Sequence, residues 1–170
     1  MSKKKPPMAD DNISLTMSEV MSPEKVNFSG HVHGGHIMLL MDRVAGACSS
    51  RYSGKYTVTL SANHVIFKEP VFVGELVFFH ASINYVGNTS MEVGIKVVAE
   101  NLKERIRRHT NTCYFTMVAL DSHGSPVKVK PLILKTEEQK RRHEEAIFRK
   151  EQNKEYSIQH NEFKKKSKDK

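Results

Sequence analysis

The chain has 170 residues, of which 38% are apolar, and it carries a formal net charge of +8. That length suits one domain with a modest core, and a small domain of this kind often completes itself by oligomerising. No apolar run approaches the roughly 20 residues of a membrane span, and no hydrophobic segment follows the first lysines as it would in a secretory signal.

Two cysteines far apart in the chain, Cys48 and Cys113, read as reduced thiols, and with the missing signal segment they point to a cytoplasmic protein. Much of the positive charge sits at the ends, in Lys3, Lys4 and Lys5 and in Lys164, Lys165, Lys166, Lys168 and Lys170. Inside the domain it is densest at Lys103, Arg105, Arg107 and Arg108. Basic tails without a set of stacking aromatics do not make a nucleic-acid reader, so no nucleic acid is expected as a partner.

In chain order, residues 1–12 read as a disordered basic leader and Ile13 to Val20 as a first strand. Met21 to Val32 contains Pro23, Asn27, Ser29 and Gly30 and reads as loop. Gly34-Gly35 opens a helix whose apolar positions are Ile37, Leu40, Met41, Val44, Ala45 and Cys48. It is apolar nearly all round apart from Asp42 and Arg43, the pattern of a buried helix, and Gly54 is its stop signal. Strands follow at Tyr56 to Leu60, His64 to Phe67, Leu76 to Val86, Met91 to Glu100 and Arg107 to Leu120, with turns at Gly87-Asn88 and at Asp121 to Gly124. Thr136 to about Lys150 is a charged helix, and 151–170 reads as a charged disordered tail. The domain therefore spans 13–150, in the α+β class: an antiparallel sheet curled around one hydrophobic helix.

Three places can carry chemistry. Asp42 lies among Leu39, Leu40, Met41, Val44 and Ala45. A carboxylate there is costly unless it is partnered or opens on a pocket, and partial desolvation makes a carboxylate a better general base. The plainer alternative is an Asp on the helix's wet stripe, paired with Arg43 or Arg51. Gly34-Gly35 leaves backbone N–H groups free at the positive end of a helix, which suits an oxyanion hole, although a glycine pair is more often a tight turn. Asn27 can orient a water or a carbonyl, or can simply shape its loop. Gly35 and Asp42 stand two helical turns apart, about 10 Å along the axis. One helix cannot present both groups to one carbonyl, so a site using both belongs at a subunit interface. His31, His33 and His36 have no Cys or acidic residue nearby to complete a tetrahedral set, so no metal site is expected.

These residues resemble the acyl-CoA thioesterases of the hotdog fold, in the branch of the bacterial YciA-type enzymes and the mammalian brain acyl-CoA hydrolase. The resemblance rests on Asn27, Gly30, Gly34-Gly35 and Met41-Asp42, then Phe67, Pro70-Val71 and Gly74-Glu75, then Gly87-Asn88-Thr89-Ser90-Met91. It covers roughly Ser14 to Lys150. It implies hydrolysis of a fatty acyl-CoA to free acid and CoA, with Asp42 and Asn27 acting from two subunits and the N–H of Gly34 or Gly35 polarising the carbonyl. Asp42 is then a general base or a nucleophile, and the former is favoured. The resemblance further implies CoA contacts from Thr89, Ser90, Arg105, Arg107 and Arg108. It implies a homohexamer built as a trimer of dimers, and no cofactor beyond the CoA of substrate and product. The family often has Phe where His33 stands. The competing reading is a hotdog protein that binds acyl-CoA without cleaving it.

Overall fold

The computed structural model describes residues 12–168. The helix on which the sheet packs, α1 (Gly34–Ser53), is held at both ends by its own sequence. At the start, the His33 side chain accepts the Gly35 N–H; at the end, Gly54 takes the left-handed conformation, with φ 68°, and its N–H closes on the Ser50 carbonyl. Ile37, Leu40, Met41, Val44, Ala45, Cys48 and Tyr52 are buried along one side.

They pack on a five-stranded antiparallel sheet of β1 (Ser14–Val20), β2 (Tyr56–Phe67), β3 (Leu76–Val86), β4 (Ser90–Asn101) and β5 (Ile106–Leu120). The spatial order is β1-β3-β4-β5-β2. Alternation drives the burial: Met91, Val93, Ile95, Val97 and Ala99 of β4 and Cys113, Phe115, Met117 and Ala119 of β5 turn inward and are nearly inaccessible. This is the hotdog arrangement expected from the sequence.

Three expectations need revision. Tyr56 to Leu60 and His64 to Phe67 are one strand, not two. β5 runs unbroken beside them, and β2 keeps pace through register shifts between Thr59 and Ser61 and between Asn63 and Ile66. His64, at φ 53°, absorbs one of those irregularities.

The helix is also not enclosed all round. Gly35, Leu39, Arg43 and Ala47 form an open stripe, with Leu39 46% exposed, because five strands on one side cover only one face of a cylinder.

Finally, the charged helix does not stop near Lys150. It forms α2, from Glu137 to Lys168, in a second compact unit that begins at Leu132, whereas the first ends at Pro131. No Gly or Pro interrupts the chain after Pro131. Glu, Gln and Lys, all good helix formers, recur through 151–168, and the first turns are further held by pairs spaced three and four apart, such as Glu137–Lys140, Glu138–Arg142 and Arg141–Glu145. The expected leader falls almost wholly outside the described residues, as do residues 169–170. Among the described residues, no helix is long and apolar enough to cross a membrane.

Candidate active site

The residues with candidate chemistry fall into two separate places on the protomer. The first is a cleft of about 340 Å³ lined by Asn27, Gly34, Phe67, Pro70, Val71 and Asn111, among others. Its walls are fixed by backbone. Val32 N–H donates to the Val71 carbonyl at 2.8 Å and His33 N–H to the Lys25 carbonyl at 2.7 Å, while Lys68 N–H reaches the Thr110 carbonyl at 2.8 Å. These bonds tie the loop before α1 to the β2–β3 loop, and that loop to β5.

Asn27 shapes its own loop. Its Oδ1 accepts from Ser29 N–H at 2.9 Å and from His31 N–H at 3.2 Å. Gly34 is packed closely enough that a Cβ would meet the Phe67 ring at 3.3 Å. Its N–H makes no hydrogen bond among the described residues, as expected of a first-turn amide. Gly35 differs, since its N–H is taken by His33 Nδ1 at 3.0 Å. The neighbouring histidines have other engagements: His31 meets Phe72 edge-on at 5.1 Å, and His36 Nε2 faces Glu19 at 3.6 Å. Among the described residues no three His, Cys, Asp or Glu side chains gather to hold a metal ion.

The second place surrounds Asp42, which is half-buried rather than sunk in the core. Its Oδ1 accepts from Thr59 Oγ1 at 2.5 Å, and the same hydroxyl lies 3.5 Å from Met117 Sδ. Thr57, two residues earlier on the same face of β2, binds α1 in a similar way. Its Oγ1 sits 2.7 Å from Ser49 Oγ and 2.8 Å from Ser50 Oγ. Sequence reasoning missed Thr59. The available signal was Thr57-x-Thr59 on one strand face, set against the polar positions Asp42, Ser49 and Ser50 of the helix.

Strand register shows how far apart the two places are. On β5, Met117 pairs with Thr59 and Val118 with Ser90, whereas Asn111 pairs with Phe67 and Val97. Asp42, Thr59 and the Thr89-Ser90 turn therefore belong to one end of the sheet. The cleft and the β4–β5 turn that carries Arg105 belong to the other. The six steps along β5 from Met117 to Asn111 set the two places about 20 Å apart.

The three arginines also differ. Arg108 donates to Glu69, Glu75 and the Pro70 carbonyl and lies 5.4 Å from the Phe72 ring centroid. It braces the β2–β3 loop. Arg107 pairs with Glu100 at 2.7 Å and lies over Phe78, yet its side chain is 65% exposed. Arg105 occupies a left-handed turn position, with φ 59°, and is exposed.

Residues 29–106 match the model of the thioesterase superfamily. The chain is 52% identical to protein VdlD of Helicobacter pylori over 141 residues, covering 83% of this chain and 80% of that protein. It is 35% identical to the uncharacterised acyl-CoA thioester hydrolase YkhA of Bacillus subtilis over 127 residues, 75% of this chain and 74% of that one. A solved apo structure of a hexameric acyl-CoA thioesterase superposes with a TM-score of 0.82 at 31% identity, covering 85% of this chain and 92% of that one. With its sheet wrapped on one central helix, the chain belongs to the thioesterase superfamily, in its hotdog-fold branch of acyl-CoA thioester hydrolases.

Proposed function

We propose that the protein hydrolyses fatty acyl-CoA to a free acid and CoA at a site shared by two protomers. Asn27 and Gly34 come from one protomer and Asp42 with Thr59 from the other. The observation that carries this reading is the division of the site. The cleft holds the polarising groups and the far end of the sheet holds the carboxylate, while the open stripe of α1 between them leaves Leu39 in need of cover. The hexameric assembly of the superposed thioesterase and the hydrolase name of YkhA support the same reading.

In the reaction, the Asp42 carboxylate takes a proton from water as the water oxygen attacks the thioester carbonyl. The oxyanion receives the free N–H of Gly34 at the positive end of α1. Gly35 joins it only when His33 releases that N–H. Asn27 has committed its oxygen to the loop and offers its amide nitrogen. Collapse of the intermediate breaks the C–S bond, and Asp42 returns its proton to the departing thiolate. Arg105 and Arg107, at the cleft's end of the sheet, meet the CoA phosphates, and the Thr89-Ser90 turn approaches from the partner together with Asp42. Arg108 acts as a brace.

The test is hydrolysis of a panel of acyl-CoAs, short to long, read by a thiol reagent. Turnover is expected on at least part of the panel. Retained acyl-CoA binding with no turnover on any chain length would establish a non-catalytic binder instead.

The protein's own thiols will not disturb that assay. Cys48 and Cys113 are both buried, and burial pushes the Cys113 thiol up to about 11, so little thiolate exists at neutral pH. Dithionitrobenzoate is expected to leave both unreacted in the native protein over minutes and to titrate both in denaturant. Rapid native labelling of either would overturn this burial.

Thr59 is a positioning residue for Asp42. Thr59→Val is expected to lower kcat about tenfold, the scale of one lost hydrogen bond to a charged group, with KM little changed. Thr59→Ser should recover most of that loss, and failure of the serine to do so would point to packing rather than orientation.

A further inference from the structure

The residue that caps α1 is a histidine. Its Nδ1 accepts the Gly35 N–H at 3.0 Å, a place more often filled by Ser, Thr, Asp or Asn. Gly35 admits the ring, since a Cβ there would meet Nδ1 at 3.3 Å and Cε1 at 3.6 Å. Because Nδ1 accepts, the proton of the neutral ring sits on Nε2. The first two amides of the helix therefore differ. Gly34 lines the cleft and its N–H has no partner among the described residues, whereas that of Gly35 is held by a base. The charged groups around the ring are engaged elsewhere. His33 N–H donates to the Lys25 carbonyl at 2.7 Å, and the Lys25 ammonium lies 3.9 Å from Glu24. His36, in the first turn of α1, faces Glu19 of β1 at 3.6 Å, and His31 meets Phe72. In the β2–β3 loop, Lys68 lines the cleft wall and Glu69 pairs with Arg108 at 3.1 Å. Among the described residues none of these forms an ion pair with His33. His33 itself is exposed, so a proton reaches it from solvent.

A serine or asparagine cap accepts at any pH, but an imidazole does not. Histidine changes charge within the physiological range. Imidazolium carries a proton on both nitrogens and accepts on neither. Protonation thus ends the hydrogen bond from Gly35 and leaves its N–H without an acceptor at the positive end of α1, next to that of Gly34. Two adjacent amides and a cation at one helix start favour an anion there, and an oxyanion hole is built from such donors.

Resting on the thioesterase reading above, we infer that His33 is a positioning residue that gates the oxyanion hole. Its neutral ring holds the Gly35 N–H back, and proton uptake at Nδ1 releases that N–H to the oxyanion of the thioester. The oxyanion in turn holds the proton on His33, so the two events support each other. While the ring is neutral, the oxyanion must break the cap to gain its second donor. Hydrolysis is then slower by about fivefold, the worth of one capping bond.

The test uses the full-length protein and two variants. His33→Asn keeps an acceptor for the Gly35 N–H at every pH, and His33→Phe supplies none at any pH. For all three proteins kcat on one acyl-CoA is measured between about pH 5 and pH 8, the span in which histidine titrates. Protonation of Asp42 is common to the three and cancels in their ratios. The wild type is expected to match His33→Asn at the alkaline end and to rise about fivefold against it on acidification, towards His33→Phe. A ratio of wild type to His33→Asn that does not change with pH overturns the proposal, and this comparison stands even if the phenylalanine variant fails to fold. A second readout needs neither variant nor turnover. In wild-type protein carrying isotope-labelled glycine, the Gly35 amide proton signal is expected to move upfield with the same midpoint as the His33 ring signals. A Gly35 signal that stays in place while His33 titrates overturns the proposal too. Failure of the thioesterase reading looks different, since no acyl-CoA is then turned over at any pH while the Gly35 signal still follows His33.

Discussion

Asp42→Asn is expected to lower kcat by at least about 100-fold, the contribution typical of a positioned general base, while KM for acyl-CoA changes little. The substitution isolates the proton-transfer role. Asparagine keeps an oxygen where Asp42 accepts the Thr59 hydroxyl at 2.5 Å, so the helix–strand contact and the shape of the site survive. What disappears is the ability to take a proton from water and return it to the thiolate. Steady-state kinetics on the best acyl-CoA, with circular dichroism to show an unchanged fold, measures the effect. A loss below about tenfold would remove Asp42 from the proton path and turn attention to a water held by Asn27 alone.

The second large effect is a gain. Asn27→Ala chains and Asp42→Asn chains, each nearly inactive alone, are expected to recover activity when co-assembled. In a two-fold pair of one chain of each kind, one site receives both wild-type residues and the other receives neither. With random pairing of equal amounts, half of the pairs are mixed and half of their sites are intact, so activity reaches about a quarter of wild type. From a baseline near one per cent, this is a rise of roughly 25-fold. Differently tagged chains purified through both tags enrich the mixed pairs and raise the value further. Mixed assemblies no more active than the parents would show that Asn27 and Asp42 serve the same site from the same chain.

Local rules explain what could be read in advance. α1 was legible at both ends because Gly34-Gly35 and Gly54 act through their own backbones. β4 was legible because Met91, Val93, Ile95, Val97 and Ala99 fall on every second position and face inward. Asp42 and Asn27 stood out by their surroundings in the sequence and by the family pattern.

What escaped depends on neighbours far away in the chain. Thr59 matters because β2 crosses α1 17 positions after Asp42. Asn111 is buried because the loop before α1, the start of α1 and the β2–β3 loop close a cleft beside it, and nothing in Thr110-Asn111-Thr112 announces that burial. β2 looked like two strands because its irregularities are tolerated only where β5 continues beside it. α2 runs past Lys150 because no Gly or Pro stops it and helix-forming Glu, Gln and Lys continue through that stretch, a signal that high charge and low hydropathy mask.

The placement of Gly34 and Asp42 on one uninterrupted helix has a consequence for how such an enzyme can change over time. Under the shared-site reading, each α1 is a common axle for two reaction centres, presenting its first turn to one and its third turn to the other. A substitution that rotates or slides the rod to improve one alignment displaces the other by the same amount. Acyl preference can therefore drift freely only in parts mounted off the axle, such as the β2–β3 loop. The helix itself is confined to changes that leave its position untouched.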